Sequence, residues 1–257
     1  MPRSIAITGA SSGLGAGLAL SYAAPGVSLG LTGRDAGRLA GVAESCRARG
    51  ATVRTETLDV GEAEPLGAWL LLLDNAAPLD LVVANAGTSA GPVDGRPEGV
   101  ALAARQIRTN LLGAVHTVEP LLPRLIARRV GQVAVVSSVA GLRGLPYSPG
   151  YSASKAGVRA YGEGLRAFLA PHGIAVSVVI PGFFDTPMTE RFMGAKPGLR
   201  SLPQAVAAVR RGLDRRQARV VFPRLLGLGL QAADLLPARL GDAILRSVRF
   251  HIRPGAS

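Results

Sequence analysis

The sequence has little cysteine, little histidine and few aromatic side chains. Its 257 residues include a single cysteine, Cys46, and three histidines that lie far apart. One cysteine excludes an internal disulfide and a cysteine-ligated metal cluster, and it suits a reducing compartment. The scattered histidines argue against a zinc site. Aromatic residues make up only 4% of the chain and no nucleic-acid-binding motif is present, so we expect no nucleic-acid partner.

Long apolar runs are absent as well, and we expect no leader segment. The most apolar stretch, around residues 225–236, is too short and too interrupted to span a bilayer. No signal peptide precedes the first predicted strand, which begins near residue 3. We therefore expect a cytoplasmic protein. The chain is 48% hydrophobic, and its length suits one large α/β domain, so we predict a single domain over residues 1–257.

Short apolar segments alternate with amphipathic ones along most of the chain. The predicted strands are residues 5–8, 27–32, 52–58, 79–84, 132–137 and 174–180, and the longer predicted helices are residues 35–49, 62–75, 100–129 and 151–170. Repeated strand–helix–strand units with strands rich in Val, Ile and Leu imply a parallel sheet covered by helices on both faces. The predicted fold class is α/β, a Rossmann-like doubly wound parallel sheet in three α/β/α layers. Its core covers about residues 3–222, and a basic helical C-terminal extension follows over about 223–257.

A glycine-rich turn follows the first predicted strand. Residues 9–15 read Gly-Ala-Ser-Ser-Gly-Leu-Gly, and a helical apolar pattern comes next. Glycines let the backbone approach a phosphate closely, and the free N–H groups at a helix start face the anion. The spacing differs from the Gly-x-Gly-x-x-Gly fingerprint, so taken alone the segment could also be a plain tight turn.

Tyr151 and Lys155 form the pattern that points most directly to chemistry. They are four residues apart on a predicted helix, so both lie on one face. An ammonium beside a phenol favours the phenolate, so we expect Lys155 to lower the pKa of Tyr151. Such a Tyr can give a proton to a carbonyl oxygen or take one from an alcohol. Only two of the 29 basic residues are lysines, Lys155 and Lys196. The motif alone could also be an exposed surface pair.

Further motifs fall where predicted strands end. These are Asp59, the run Asn85-Ala86-Gly87, Ser138, and the pair Pro181-Gly182. The carboxyl ends of parallel strands share one edge of the sheet, and ligands bind there. We therefore expect all of these residues to converge on one site.

The motifs, in this order, resemble the short-chain dehydrogenase/reductase (SDR) family. The resemblance implies an oxidoreductase that interconverts a carbonyl and a secondary alcohol by hydride transfer. It implies Tyr151 as the general acid or base, Lys155 as the residue that binds the nicotinamide ribose, and Asn110 as the residue that positions a relay water. Ser138 would donate to the substrate oxygen. The adjacent Ser137 is a rival, and the 13-residue spacing to Tyr151 favours Ser138.

The resemblance also implies where a nicotinamide cofactor binds. The cofactor-binding residues that it assigns are Gly9, Ser11, Ser12, Gly13, Leu14, Gly15, Arg34, Asp59, Val60, Asn85, Ala86, Gly87, Tyr151, Lys155, Pro181, Gly182, Phe184 and Thr186.

The end of the second predicted strand bears on cofactor choice. Gly33 stands where the family's acidic residue for the ribose hydroxyls would fall, and Arg34 follows it. An arginine there can pair with a 2′-phosphate, with a hydroxyl from Ser11 beside it. We therefore predict NADP(H) in preference to NAD(H), and we expect Asp35 to cap the next helix. The alternative is that Arg34 is simply a solvated residue.

Positive charge is concentrated at the end of the chain. Of the net charge of +12, residues 191–257 carry 13 Lys and Arg against three Asp. This segment could pack on its own domain or on a partner subunit, could lie on an anionic membrane surface, or could attract an acidic substrate. We expect a homo-oligomer, either a dimer or a tetramer. The sequence of this segment differs from the C-terminal tail that builds the family's tetramer. A dimer through the helices that carry Asn110 and Tyr151 does not need that tail.

A predicted lid over about residues 186–202 is apolar. Its neighbourhood contains the side chains of Phe183, Phe184, Met188, Phe192 and Met193. An adaptable apolar lid suggests a small-molecule substrate with hydrophobic bulk, although the same side chains could simply pack the lid onto the domain. Three other functions stay open at this point: a non-redox dehydratase or epimerase, a non-catalytic NADP(H) sensor, and a protein that docks on a membrane.

Overall fold

The computed structural model describes residues 2–89, 97–146, 148–190, 192–194, 196–247 and 250–252. The described strands are β1 (Ser4–Thr8), β2 (Ser28–Gly33), β3 (Thr52–Thr57), β4 (Leu81–Ala84), β5 (Gln132–Val136), β6 (Ala175–Pro181), β7 (Phe192–Gly194), β8 (Arg219–Phe222) and β9 (Phe250–Ile252). The described α-helices are α1 (Gly13–Tyr22), α2 (Ala36–Arg47), α3 (Ala63–Ala76), α4 (Val100–Ile107), α5 (Gly113–Val118), α6 (Leu122–Arg128), α7 (Pro149–Leu169), α8 (Pro187–Glu190), α9 (Leu202–Asp214), α10 (Arg224–Asp234) and α11 (Ala238–Ser247).

Seven parallel strands form the central sheet in the order β3-β2-β1-β4-β5-β6-β8. β1 lies between β2 and β4, with Ile7 opposite both Leu31 and Val83. The strand order therefore reverses between β1 and β4, which is the topological switch point of a doubly wound sheet. β1, β4 and β5 are buried on both faces, which explains why they read as continuous apolar runs rather than alternating ones.

Each face of the sheet has its own hydrophobic core. Ile5 and Ile7 belong to one core, which includes residues of α1, α2 and α9, whereas Ala6 belongs to the other, which includes residues of α3, α5, α6 and α7. This division follows from the alternation of side chains along β1. The predicted three-layer α/β/α fold is thereby confirmed.

The helix predicted over residues 100–129 is divided into shorter pieces. A π-helical turn, Arg108–Leu112, separates α4 from α5, and a 3₁₀ turn, Glu119–Leu121, separates α5 from α6. Pro120 and Pro123 lack the N–H group that a continuous helix would use, so the helix tightens there. The π-helical turn carries Asn110, and such turns are often found at functional sites.

Two further helices and a short strand follow the central sheet. α10 and α11 come after β8, and β9 pairs antiparallel with β7 of the predicted lid. Part of the predicted extension, residues 248–249 and 253–257, lies outside the described residues, as do Arg191, Ala195 and the Met193 side chain of the lid. None of the helices that the structure describes is both long enough and apolar enough to cross a membrane.

A buried carboxylate connects α3 to α6. Asp74 has a side chain that is 1% exposed, and its two oxygens accept hydrogen bonds from Arg128 at 2.7 and 2.9 Å. Arg124 and the backbone N–H of Leu79 also donate to it. Burial raises the pKa of Asp74, but the bonds from Arg128, Leu79 and Arg124 outweigh burial and hold that pKa below its ordinary value.

Candidate active site

A cavity of about 310 Å³ opens at the carboxyl edge of the sheet. It brings together most of the predicted site residues. Those that line it are Gly9, Ser11, Ser12, Gly13, Leu14, Arg34, Asp59, Val60, Asn85, Ala86, Gly87, Ser138, Tyr151, Lys155, Pro181, Gly182, Phe184 and Thr186. Gly15 and Asn110 do not line it.

The glycine turn is shaped by close backbone contacts. Gly9 has φ +66° and Gly13 has φ +54°, a conformation that side-chain-bearing residues rarely adopt. A Cβ atom on Gly9 would lie 2.7 Å from Cα of Ala86, and one on Gly15 would lie 2.3 Å from the carbonyl oxygen of Gly9. Gly15 lies beneath the turn, where the absence of a side chain allows α1 to pack against it, and it does not line the cavity. Its role in cofactor binding stays a prediction.

Thr8 and Asn85 hold the turn in place. The Asn85 Nδ2 atom donates to the carbonyl oxygens of Thr8 (3.0 Å) and Gly9 (3.2 Å). The Thr8 hydroxyl oxygen accepts from the backbone N–H groups of Asn85 (3.1 Å) and Ala86 (3.3 Å). Sequence reasoning did not assign Thr8 a role, although it directly precedes the first glycine. These bonds fix the relative positions of the ends of β1 and β4.

The start of α1 suits an anionic group. Its N-cap residue, Ser12, makes no side-chain capping bond within the described part of the chain, and the first turn has no acidic residue. The N–H groups of this turn lie beside the cavity, and Gly13 leaves it open, since a Cβ there would meet Thr186. A helix start with free N–H groups favours phosphate. The residues present therefore fit the pyrophosphate of a dinucleotide.

The far end of the cavity is lined by Arg34, Asp35 and Arg38. Asp35 accepts from the backbone N–H of Arg38 at 2.9 Å and from its Nε atom at 2.6 Å, so its predicted role as the cap of α2 is confirmed. A Cβ on Gly33 would lie 3.0 Å from the Ser11 hydroxyl oxygen, which leaves little room for an acidic side chain there. Arg38 was not singled out from the sequence.

The two neighbouring serines have different hydrogen-bond partners. The Ser137 hydroxyl donates to the carbonyl oxygen of Lys155 at 2.6 Å and is buried. The Ser138 hydroxyl oxygen accepts from the backbone N–H of Ala140 at 3.2 Å and hydrogen-bonds the side chain of Tyr151. The Ser137 hydroxyl is therefore used in a hydrogen bond to the backbone of α7, whereas the Ser138 hydroxyl lies beside the phenol of Tyr151.

The pKa of Tyr151 is displaced opposite to the expectation from sequence. Burial raises this pKa, and the hydrogen bond from Ser138 lowers it only in part. Lys155 Nζ lies 6.0 Å from the centre of the Tyr151 ring and donates to the carbonyl oxygen of Val136 at 2.8 Å. Burial lowers the pKa of Lys155 to about 8. Within the protein alone, desolvation therefore outweighs the effect of the ammonium on the phenol.

Asn110 stabilises the segment after β4. Its Nδ2 atom donates to the carbonyl oxygen of Thr88 (3.0 Å) and to the Ser154 hydroxyl (2.9 Å), and its Oδ1 atom accepts from the Thr88 N–H (2.7 Å). A Cβ on Gly87 would lie 3.2 Å from this Oδ1 and 3.3 Å from Lys155 Nζ. Asn110 thus lies outside the cavity lining. Its side chain bonds with Thr88 and lies close to Gly87, which is also close to Lys155 Nζ.

Burial of Lys155 predicts a pH-dependent stability. Its pKa is about 8 in the folded chain and about 10.4 in an unfolded one, so the unfolded chain binds more protons in between. Lys155 therefore destabilises the fold below pH 8, and this effect disappears as pH rises through the window. Relative to Lys155→Met, the unfolding free energy of the wild-type protein should rise by about 3 kcal/mol between about pH 8 and about pH 10.4. Denaturant titrations at several pH values measure this, with Lys196→Met as the control; a flat difference would contradict the prediction.

One side of the cavity is apolar. The side chains of Val139, Leu145, Phe183, Met188 and Phe192 line it, and the rings of Phe183 and Phe192 meet edge to face with centroids 5.6 Å apart. Neither Val139 nor Leu145 was singled out from the sequence, because nothing local distinguishes them from core residues.

Phe184 contributes to the cavity and to the core. Its ring centroid lies 6.3 Å from that of Phe222, and its side chain packs against the first hydrophobic core. Phe184 therefore does both things expected of the apolar side chains around the lid: it lines the cavity, and it packs against the domain.

Glu98 holds the start of the helix that carries Tyr151. One carboxylate oxygen accepts from the backbone N–H of Gly150 at 2.8 Å, and the other accepts from Gln106 Nε2. An acidic group is favourable at a helix start. Nothing local in the sequence predicts this contact, because Glu98 and Gly150 are far apart in the chain. In the described residues, no group of three His, Cys, Asp or Glu side chains could hold a metal ion.

Comparisons with known proteins agree with this architecture. The family model for short chain dehydrogenases matches residues 3–196. An uncharacterized oxidoreductase of Myxococcus xanthus (strain DK1622) is 38% identical over 252 residues, which cover 96% of this chain and 98% of that protein. A short-chain dehydrogenase from Sphingobium yanoikuyae, in complex with NADPH, is 26% identical with a TM-score of 0.79, and the match covers 96% of both chains.

A second structure shares the fold at lower identity. It is a short chain dehydrogenase/reductase from Burkholderia phymatum in complex with NAD, 22% identical with a TM-score of 0.80 over 99% of this chain and 98% of that one. The chain belongs to the short-chain dehydrogenase family, and it is an oxidoreductase of that family. The NADPH bound in the Sphingobium yanoikuyae structure supports a nicotinamide cofactor.

Proposed function

We propose that this protein is an NADPH-dependent carbonyl reductase that also catalyses the reverse oxidation of a secondary alcohol. The observation that carries the proposal is that Ser138, Tyr151 and Lys155 line the same cavity as the glycine turn. When bound, the nicotinamide would supply or accept the hydride. The chain itself would orient the reactants and handle the proton.

Each of these side chains has a distinct role in the proposal. Tyr151 gives its hydroxyl proton to the carbonyl oxygen in reduction and takes it back in oxidation. Ser138 donates to the same oxygen and stabilises the negative charge that develops there. Lys155 binds the ribose hydroxyls, and its ammonium favours loss of the Tyr151 proton. Asn110 and Gly87 lie on the side of Lys155 from which the proton could be replaced.

We propose NADP(H) as the preferred cofactor. Arg34, Arg38 and Ser11 line the cavity near Gly33 and would hold the 2′-phosphate, and Gly33 adds no acidic side chain there. The Asp35 charge is partly balanced by its ion pair with Arg38. A guanidinium can hold such a phosphate with two parallel hydrogen bonds.

Arg34→Ala tests this preference. A charge-assisted hydrogen bond to the 2′-phosphate is lost, so the Kd for NADPH should rise by about tenfold or more, while the Kd for NADH stays within about twofold. Calorimetric titration of both nucleotides measures the two constants. Arg54→Ala, on the exposed edge strand β3, is the matched control. Tighter binding of NADH than of NADPH by the wild-type protein would contradict the preference.

We propose an uncharged carbonyl substrate with hydrophobic bulk. Apart from Lys155, the charged residues among the described lining are Arg34, Asp35, Arg38 and Asp59, all on the nucleotide side, whereas the remaining side is formed by Val139, Leu145 and the phenylalanines. A panel of aliphatic and aryl ketones with NADPH tests this class. Absence of NADPH oxidation with all of them would instead favour a non-redox dehydratase or epimerase.

A cytoplasmic homo-oligomer completes the proposal. Ile107, Leu112 and Phe168 are exposed apolar side chains on and beside the helices that carry Asn110 and Tyr151. Such a face suits a dimer.

A further inference from the structure

The helix α10 is apolar on two opposite faces. Leu226 and Leu230 pack against the second hydrophobic core, and Ala233 is buried. Leu225, Leu228 and Leu235 are 84%, 62% and 88% exposed. Together with the exposed Ala232, these residues are spaced by three, four and three positions, so they form one stripe along the helix. We call Leu225, Leu228, Ala232 and Leu235 the leucine stripe.

Unpaired arginines lie beside this stripe. A groove of about 510 Å³ between α9, β8 and α10 is lined by Arg211, Arg215, Arg219 and Arg224, and also by Leu228 of the stripe. Arg219 pairs with Glu163. Arg211, Arg215 and Arg224 are exposed and have no ion-pair partner among the described residues. The groove thus adds three uncompensated positive charges next to exposed leucines.

Two acidic side chains that the structure describes on the neighbouring helices are paired with other arginines. Asp214 at the end of α9 forms an ion pair with Arg210, and Asp242 of α11 forms one with Arg143. The positive charge of the groove is therefore not balanced by these two carboxylates.

The helix that carries the stripe packs close to the cavity. A Cβ on Gly182, which lines the cavity, would lie 3.3 Å from Leu226 of α10, and a Cβ on Gly227 would lie 3.9 Å from Leu142. Arg143 donates to the carbonyl oxygen of Ala233 at 3.1 Å. α10 therefore packs on the segment that leads to Leu145, a residue of the apolar cavity wall.

From this placement we infer that the leucine stripe and the groove arginines dock the protein on an anionic lipid bilayer. Exposed leucines on a helix with flanking arginines enter the interface of a membrane, while the guanidinium groups contact anionic headgroups. Docking through α10 brings the apolar wall of the cavity next to the lipid phase. A hydrophobic carbonyl compound could then enter the cavity from the bilayer.

A second copy of the chain fits this face less well. A two-fold contact places each patch against the same patch of its partner. Arg211, Arg215 and Arg224 would then approach their own copies without the described carboxylates to balance them, and like charges at an interface oppose association. The charge of the face is complementary to an anionic surface.

Vesicle flotation tests the inference with the full chain. Vesicles of phosphatidylcholine with and without phosphatidylglycerol are mixed with the wild-type protein, and the floated fraction is measured at low and high salt. The protein should float only with phosphatidylglycerol, and salt should reduce binding. The triple variants Leu225→Gln/Leu228→Gln/Leu235→Gln and Arg211→Gln/Arg215→Gln/Arg224→Gln should each lower partitioning by about tenfold or more.

Matched controls replace exposed residues elsewhere on the surface. Leu72→Gln/Val130→Gln and Arg54→Gln/Arg105→Gln should float like the wild-type protein. Circular dichroism and NADPH binding report whether each variant is folded. NADPH binding by the wild-type protein also separates this inference from the proposed function, since flotation without NADPH binding would contradict the latter alone.

Three results would overturn the inference. The first is a folded wild-type protein that does not float with phosphatidylglycerol vesicles, and the second is folded triple variants that float as well as the wild-type protein. The third is a leucine variant that becomes a smaller oligomer in light scattering while its vesicle binding is unchanged, because a second copy then covers the stripe.

Discussion

Tyr151→Phe is expected to lower kcat for ketone reduction by about a thousandfold, the typical contribution of a general acid. The substitution removes the hydroxyl that hydrogen-bonds Ser138 and keeps the ring that lines the cavity. The Kd for NADPH should rise by no more than about fivefold, because Tyr151 is one of many predicted nucleotide contacts and the others are kept. Steady-state kinetics with the best ketone and a separate NADPH titration measure the two effects.

The same helix provides a matched control. Tyr161 lies on α7 as well, but its hydroxyl donates to Glu119 at 2.8 Å and it is not among the residues that line the cavity. Tyr161→Phe should keep kcat within about twofold of the wild-type value. If Tyr151→Phe retains comparable activity, another group supplies the proton and the proposed mechanism is wrong.

Asp74→Ala should lower the free energy of unfolding by about 3 kcal/mol. Removing one partner of a buried ion pair leaves the other charge unsatisfied, an effect of about 3–5 kcal/mol. The lower value applies because the Arg128 and Arg124 side chains are 26% and 37% exposed and can recover some hydration. Urea denaturation at pH 7 measures the change.

The pH dependence identifies the carboxylate as the cause. The folded pKa of Asp74 is lowered, so its stabilisation is complete above the unfolded pKa of about 3.9 and is lost as pH falls through the folded pKa. The difference between wild type and variant should thus be constant near neutrality and shrink below about pH 4. Glu62→Ala is the control, because the Glu62–Arg108 pair is exposed on both sides and should contribute less than about 1 kcal/mol. Equal losses for both variants would contradict the assignment.

The fold and the position of the site could be predicted because apolar runs mark the strands and the site residues directly follow those runs. β1, β4 and β5 are continuous apolar runs, and each is followed by a glycine, an asparagine or a serine. Parallel strands bring these ends to one edge whatever the details of packing. The predicted positions of Ser138, Asn85 and the glycine turn at one cavity follow from this rule alone.

What the sequence could not show depends on packing between distant residues. The distinction between Ser137 and Ser138 rests on which hydroxyl reaches the carbonyl oxygen of Lys155, and spacing can only suggest it. The pKa of Tyr151 follows from burial, which a pair of residues four apart does not reveal. Glu98 reaches the start of α7 from more than fifty positions away, so no local pattern marks it.

The central position of β1 affects how the chain can fold during synthesis. β1 is the first strand to be made, yet its two neighbours are β2 and β4, and β4 ends at Ala84. Until that residue has emerged, one edge of a strand that is completely buried in the folded protein has no partner, and unpaired strand edges invite aggregation. The glycine turn between β1 and α1 is therefore synthesised early, but it gains its hydrogen bonds late, when Asn85 arrives to bond with Thr8 and Gly9.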